Sequence, residues 1–203
     1  MSWHDLLGFI LILAAAAAIP GPDIAAIVAT GIGQGLGRAF RVVFGLILGH
    51  AVWMTAAATG LAALALALGA AFILIKIGAV AYLLYLAWSL WTAPVTEASA
   101  EEAPAPSGRA GIVTGLLVSL SNPKALVFFS AVVPSILPIQ NLSLPDFALV
   151  IAASSLTFIV VFGAWALLAA KARAFLGRTA NRRAINRGSA LLIAGSAVAV
   201  ASR

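Results

Sequence analysis

The sequence predicts an all-α integral membrane protein: six transmembrane helices as two inverted three-helix repeats, with helices one and four interrupted. Three observations predict it. Of 203 residues, 63% are hydrophobic and only 9% charged, whereas soluble domains run near 45–50% apolar and about 25% charged. The mean hydropathy is +1.11, and a folded chain of this length exposes too much area for water to be its solvent. Apolar segments of membrane-crossing length, roughly 20 residues, recur along the chain. Two of them are broken by proline at matching places.

The segments lie at about 5–28, 40–66, 69–91, 111–136, 146–170 and 187–202. The first has the length and small residues of a cleaved leader, but MSWHD carries no Lys or Arg ahead of it, so retention is expected. The second and third meet near Gly69-Ala70-Ala71, and the sixth is short and ends abruptly. Between the third and fourth runs TAPVTEASAEEAPAPSGR, rich in Ala, Pro, Glu and Ser without apolar periodicity. It reads as a flexible linker over 92–110. The chain 1–203 is then one transmembrane domain, with repeat one at 1–91 and repeat two at 111–203. Three crossings per half make the second half enter from the opposite side, as in many secondary transporters.

Orientation follows from Lys and Arg near the segment ends. The fifth loop carries Lys171, Arg173, Arg178, Arg182, Arg183 and Arg187, the first Arg38 and Arg41, and the third Arg109. These loops are expected in the cytoplasm and both termini outside. Glu97, Glu101 and Glu102 count little in this rule. The net charge of +6 reads as loops facing anionic lipid rather than as nucleic-acid binding. There is no cysteine, which excludes disulfides and thiol chemistry, and only His4 and His50, too few for a histidine metal centre.

The first segment is interrupted at Pro20-Gly21-Pro22-Asp23, about 15 residues in, and the fourth at Asn122-Pro123-Lys124, about 12 residues in. In lipid such breaks are tolerated only beside protein or a wet cavity, and matched breaks point to a substrate site. Each is also a helix restart. Asn122 is a good N-cap, and Pro22 and Pro123 suit a first helical position. Two half-helix N-termini then meet near the bilayer centre and present N–H groups and partial positive charge to an anion. Asp23 suits its first turn, but an intramembrane aspartate costs about 2.5–3.5 kcal/mol on insertion scales and is a functional candidate by default. Lys124 opposes the dipole of its own half-helix. It is expected to face either Asp23 or a substrate carboxylate.

Other positions say less. His50 is suited both to relaying protons and to a satisfied interior role. Lys76 is expected to snorkel. Ser154, Ser155 and Thr157 either line a cavity or bond within their helix. Tyr82, Tyr85, Trp88 and Trp91 run down the third segment, its tryptophans forming an interfacial belt. Gly31, Gly33, Gly35 and Gly37 read as a turn, and they also leave room for close packing and a homodimer.

With these residues in view, the chain resembles the lysine exporter / homoserine–threonine exporter superfamily of bacterial amino-acid efflux proteins. The resemblance is carried by PGPDIAAIVATGIGQGLGRAFRVVFGLILGH, KIGAVAYLLYLAWSLW and GLLVSLSNPKALVFFSAVVP, with an echo in NRGSALLIAG. It implies export of amino acids or close derivatives across the bacterial cytoplasmic membrane, driven by the proton gradient, with no enzymatic reaction and no cofactor. Its matching positions are Pro20, Gly21, Pro22 and Asp23, then Asn122, Pro123 and Lys124. His50 departs from it, since many relatives have an acidic residue there.

The expected partners are therefore an amino acid, protons and lipid. Asp23 suits the substrate's ammonium, while Lys124, Asn122, Gly21 and the half-helix N-termini suit its carboxylate. Asp23 or His50 carries the coupling proton as the two halves rearrange around the site. A metal-cation exporter of the same superfamily is the alternative, though only Asp23 and His50 offer ligands. An intramembrane hydrolase built on His50 and a membrane serine lacks a glycine-flanked serine motif.

Overall fold

The computed structural model describes residues 1–60, 108–175 and single positions within 77–92 and 187–198. Among the described residues every regular element is helical. The elements are α1 (Trp3–Ala18), α2 (Pro22–Gln34), α3 (Leu36–Ala58), α4 (Gly108–Ser121), α5 (Pro123–Val127), a π-helical turn at Phe128–Val132, α6 (Val133–Ile136) and α7 (Leu144–Phe175). Lys76, Tyr82, the linker residues 93–107 and most of the third and sixth segments lie outside the described residues.

Among the described residues two helices, α3 and α7, are long and apolar enough to cross a membrane, and counting each of two bent pairs as one span brings that to four. Helix α1 starts in a capping box, with Ser2 Oγ accepting from the Asp5 N–H and Asp5 Oδ2 accepting from the Ser2 N–H. It ends where Ile19, held extended before Pro20, cannot continue a helix. Helix α2 restarts with Pro22 at its first position and leaves α1 at 57°. The second bent pair, joined across Asn122, turns by 55°. Pro134 has no N–H for the Ser130 carbonyl four residues back, and Ser130 lies inside the π-helical turn.

The loop expected to carry Arg38 and Arg41 is a single residue. Gly35, at φ +90°, joins α2 directly to α3, so both arginines stand on the first turns of a helix. A left-handed φ favours glycine, so one residue reverses the chain where a loop of about ten was expected. Lys171 and Arg173 likewise belong to α7, not to a loop. At 32 residues and about 1.5 Å per residue, α7 outruns the ~30 Å hydrocarbon core, so its ends carry charge into the interface. Helix α4 begins at Gly108, inside the stretch expected as linker.

The interior holds Phe9, Leu13, Ile27, Leu46, Phe129 and Phe162, while Leu7, Leu11, Phe44, Val52, Val160 and Leu168 face outward. Apolar residues thus occupy both sides, as lipid requires. Helices α3 and α4 run parallel with their backbones in contact. A Cβ added to Gly45 would overlap the Ile112 carbonyl, and one on Gly115 the Val42 carbonyl. Gly49 abuts Ser119, and Gly111 abuts Arg41. This is small-residue packing at i, i+4, which joins membrane helices without a hydrophobic driving force. Of the glycines singled out in the sequence, Gly31 packs against Ala169 of α7.

The seam predicts that Gly115→Leu lowers the thermal midpoint of the purified protein in detergent, at a cost of about 3 kcal/mol from overpacking. Gly8→Ala, whose added methyl would touch nothing, should leave the midpoint unchanged or raise it, since alanine gains about 0.5–1 kcal/mol in a helix interior. Equal midpoints for Gly115→Leu and wild type would refute the seam.

Candidate functional site at the two helix breaks

The breaks meet. Lys124 Nζ donates to the carbonyls of Ala16 and Ile19, each at 3.0 Å, and a Cβ on Gly21 would lie 3.5 Å from the same ammonium. The Ala16 carbonyl is the one that an N–H at position 20 would have bonded, and Pro20 has none. A lysine of the second half therefore takes over a carbonyl that proline orphans in the first. Its charge also rests against the C-terminal, partially negative end of α1.

The second break is repaired in the same way. Pro123 leaves the Ser119 carbonyl without its α-helical donor, and Trp53 Nε1 of α3 donates to that carbonyl at 3.1 Å. The Asn122 N–H shares it at 3.2 Å. Asn122 caps α5, its Oδ1 accepting from the Lys124 N–H at 3.0 Å.

Asp23, on the first turn of α2, is 3% exposed and faces His50, not Lys124. Its Oδ2 lies 3.6 Å from His50 Nε2, an electrostatic contact longer than a hydrogen bond. His50 Nδ1 is 2.7 Å from the Leu46 carbonyl and 3.1 Å from Ser119 Oγ. A carbonyl only accepts, so the ring's Nδ1 carries the proton. Nε2 then meets the carboxylate favourably when a second proton sits between them, on His50 or on Asp23. Among the described residues, two buried polar atoms are left without a partner: Asp23 Oδ1 and Asn122 Nδ2.

Asp23, His50 and Lys124 line one cavity, whose other walls are Leu13, Ala16, Ala17 and Ala125 and the rings of Phe128, Phe129, Phe158 and Phe162. His50 sits within this aromatic group, 4.3 Å from Phe158, 5.6 Å from Phe129 and 5.9 Å from Phe162 between ring centroids. The cavity therefore has one carboxylate and one ammonium at its polar end, and an apolar remainder. Among the described residues, no three His, Asp or Glu side chains gather as a metal site.

The sequence brought Asp23, Gly21, Asn122, Lys124, Pro20, Pro22 and Pro123 forward, and the structure gathers them around one junction. It missed Ser119, Trp53 and the four phenylalanines. The FF pair of the second break reads only as apolar, and nothing local marks Ser119 or Trp53. Ser119 is fully buried against Gly49 and does not line the cavity. Ser154, Ser155 and Thr157 donate to carbonyls one turn back, at 2.6, 2.8 and 2.8 Å. Trp91 lies 5.0 Å beneath the Arg187 guanidinium.

Residues 14–203 match the profile of the LysE type translocator family. An uncharacterized membrane protein of Pseudomonas aeruginosa is 35% identical over 134 residues, 63% of this chain and 59% of the relative, so the match spans under two thirds of that protein. One of Synechocystis sp. is 26% identical over 186 residues, 92% of this chain and 90% of the relative. A leucine efflux protein of Enterobacter sp. is 31% identical over 129 residues, 63% of this chain and 59% of the relative. No solved structure matches.

The crossed repair of the breaks predicts that Lys124→Met destabilises the protein by about 1–3 kcal/mol for each of the two carbonyls left unpaired, and that Trp53→Phe, which leaves the Asn122 N–H on the Ser119 carbonyl, costs less. Thermal unfolding in detergent checks both. An unchanged midpoint would mean that another donor already serves those carbonyls.

Proposed function

The chain belongs to the LysE type translocator family, and from that membership we infer that it is a secondary active exporter of amino acids or close derivatives across the bacterial cytoplasmic membrane. The observation that carries the reading is the meeting of two helix breaks at a cavity holding one carboxylate and one ammonium. An α-amino acid has the complementary pair. Asp23 Oδ1 accepts from its ammonium. The third Lys124 proton, the Asn122 amide and the N-terminus of α2 beside Gly21 receive its carboxylate. The phenylalanines surround its side chain, which accords with the leucine named for several relatives.

The Asp23–His50 contact is the proton-coupling element. A proton arriving at this pair weakens the hold of Asp23 on the substrate ammonium, and its departure restores the site. His50 is the group whose ordinary titration falls in the physiological range, and Asp23 and Lys124 are the charged groups that share its cavity. The two halves form inverted repeats, a reading supported by their matched bends of 57° and 55°. Arg38, Arg41, Lys171 and Arg173 mark the cytoplasmic end. Gly35 abuts the Arg173 guanidinium and Gly111 abuts Arg41, which places these charges together.

Efflux from cells preloaded with a panel of labelled amino acids tests this. Wild type should release one or a few of them, and a protonophore should stop that release. Asp23→Asn and Lys124→Ala, at wild-type membrane levels, should export about 100-fold or more slowly, the cost of a buried charged contact of about 3 kcal/mol. Normal efflux by Asp23→Asn would remove Asp23 from the site.

His50→Gln tests the coupling separately. It should export with a rate that no longer responds to external pH between about 5 and 8. A wild-type pH response in this variant would leave coupling to Asp23 alone.

A further inference from the structure

A second, smaller cavity adjoins the first. Ile47, Ala51 and Met54 of α3 and Ile151, Ser154 and Ser155 of α7 line it. His50, Phe129 and Phe158 line both cavities. The two spaces are thus separated by a wall one side chain thick, in which Phe158 lies against His50 at 4.3 Å. Phe129 belongs to the π-helical turn, a widened stretch of helix that recurs at functional sites.

The order along the membrane is set by the helices. On α7 the second cavity takes residues 151 to 158, and the first takes Phe158 and Phe162. On α3 the second cavity reaches Met54, four residues from the helix end at Ala58. That end of α3 lies beside the turn preceding α7, where Gly60 is next to Gln140. Arg38, Arg41, Lys171 and Arg173 all stand at the opposite ends of these two helices. The second cavity therefore lies between the binding site and the ends of α3 and α7 opposite those four basic residues.

We propose that the second cavity is an exit compartment for the transported solute, and that Phe129 and Phe158, closing against His50, are the gate between it and the binding site. The cargo rests on the exporter reading above; the gate rests on the two cavities and their shared wall. The compartment is not purely apolar. The Ser154 and Ser155 hydroxyls spend their protons on the Val150 and Ile151 carbonyls, which leaves their oxygen lone pairs as acceptors. An ammonium leaving Asp23 meets those acceptors next.

The chain contains no cysteine, so single cysteines introduced into it report access without further engineering. A membrane-impermeant maleimide is applied outside intact cells to Ser143→Cys, Ser155→Cys and Ala17→Cys. Ser143 is exposed in the turn before α7 and reports which end faces the reagent. Ser155 lies in the second cavity and Ala17 in the first. Ser143→Cys and Ser155→Cys should label, and Ala17→Cys should label slowly. Adding Phe158→Ala should speed Ala17→Cys labelling by about tenfold, as for a gate whose open fraction rises by that factor, with Ser143→Cys unchanged. Where Phe158→Ala fails to accumulate in the membrane, Phe129→Ala on the other leaf of the wall is read instead.

An unchanged Ala17→Cys rate in the opened variant would overturn the gate. Labelling of Ser155→Cys only in inverted vesicles would overturn the exit compartment. Neither readout requires transport. A chain that exports no amino acid can still pass this test, and an amino-acid exporter can fail it.

Discussion

Lipid offers no hydrogen bonds, so a carbonyl that loses its helical donor in a membrane must be served by protein. The rest of this structure follows from that constraint. Pro20 orphans the Ala16 carbonyl, and Lys124 of the second half supplies the donor from 108 residues away. Pro123 deprives the Ser119 carbonyl of its donor, and Trp53 of the first half supplies another from 66 residues away. Each half repairs the break in the other. The first break is served by a residue of the second, so the two lie side by side with the cavity between them, while the second is served by Trp53 of α3 and by its own Asn122 N–H.

The same pairing resolves the charges. A lysine at a half-helix N-terminus is electrostatically misplaced if only its own helix is considered. Across the junction it faces the negative end of α1, where a cation belongs. Asp23 has the favourable dipole of α2 beneath it and turns its second oxygen toward His50. What remains unspent is one carboxylate oxygen, one amide nitrogen and one ammonium proton. Leaving a buried polar atom unpaired costs about 1–3 kcal/mol, and these leftovers are the complement of a zwitterion.

Much of this junction was legible in the sequence because its signals are local. Proline, an asparagine cap and an intramembrane aspartate announce a break and a restart without knowledge of the fold. The partners were not legible. Lys124 was expected against Asp23 or a substrate, because sequence places no carbonyl of α1 next to it. Asp23 meets His50 only because α2 folds back onto α3 through the single residue Gly35. That tight reversal was itself hidden: Gly35 sits in a glycine-rich stretch with arginines beyond, which reads equally well as a loop. Gly45, Gly49, Gly111 and Gly115 stand at helical spacing in plain view. Their meaning depends on two helices being opposed in register, and no single segment carries that information.

Those glycines also bear on how the molecule can move. Helix α3 belongs to the first half and α4 to the second, and along the seam their backbones touch with no side chains between them. Sliding or parting at such a surface would expose carbonyls and forfeit close packing along the whole contact, whereas a broken helix has already lost the bonds that would resist bending. A rearrangement of the two halves as whole units would have to break this seam. Motion is cheapest at the bends near Ile19 and Asn122 and in the aromatic side chains around His50. On the proposed exporter reading, the two halves stay joined along α3 and α4 and access alternates at the breaks. On the same reading the solute's carboxylate takes the third Lys124 proton, and the two Lys124 contacts to α1 hold the first break while it is bound.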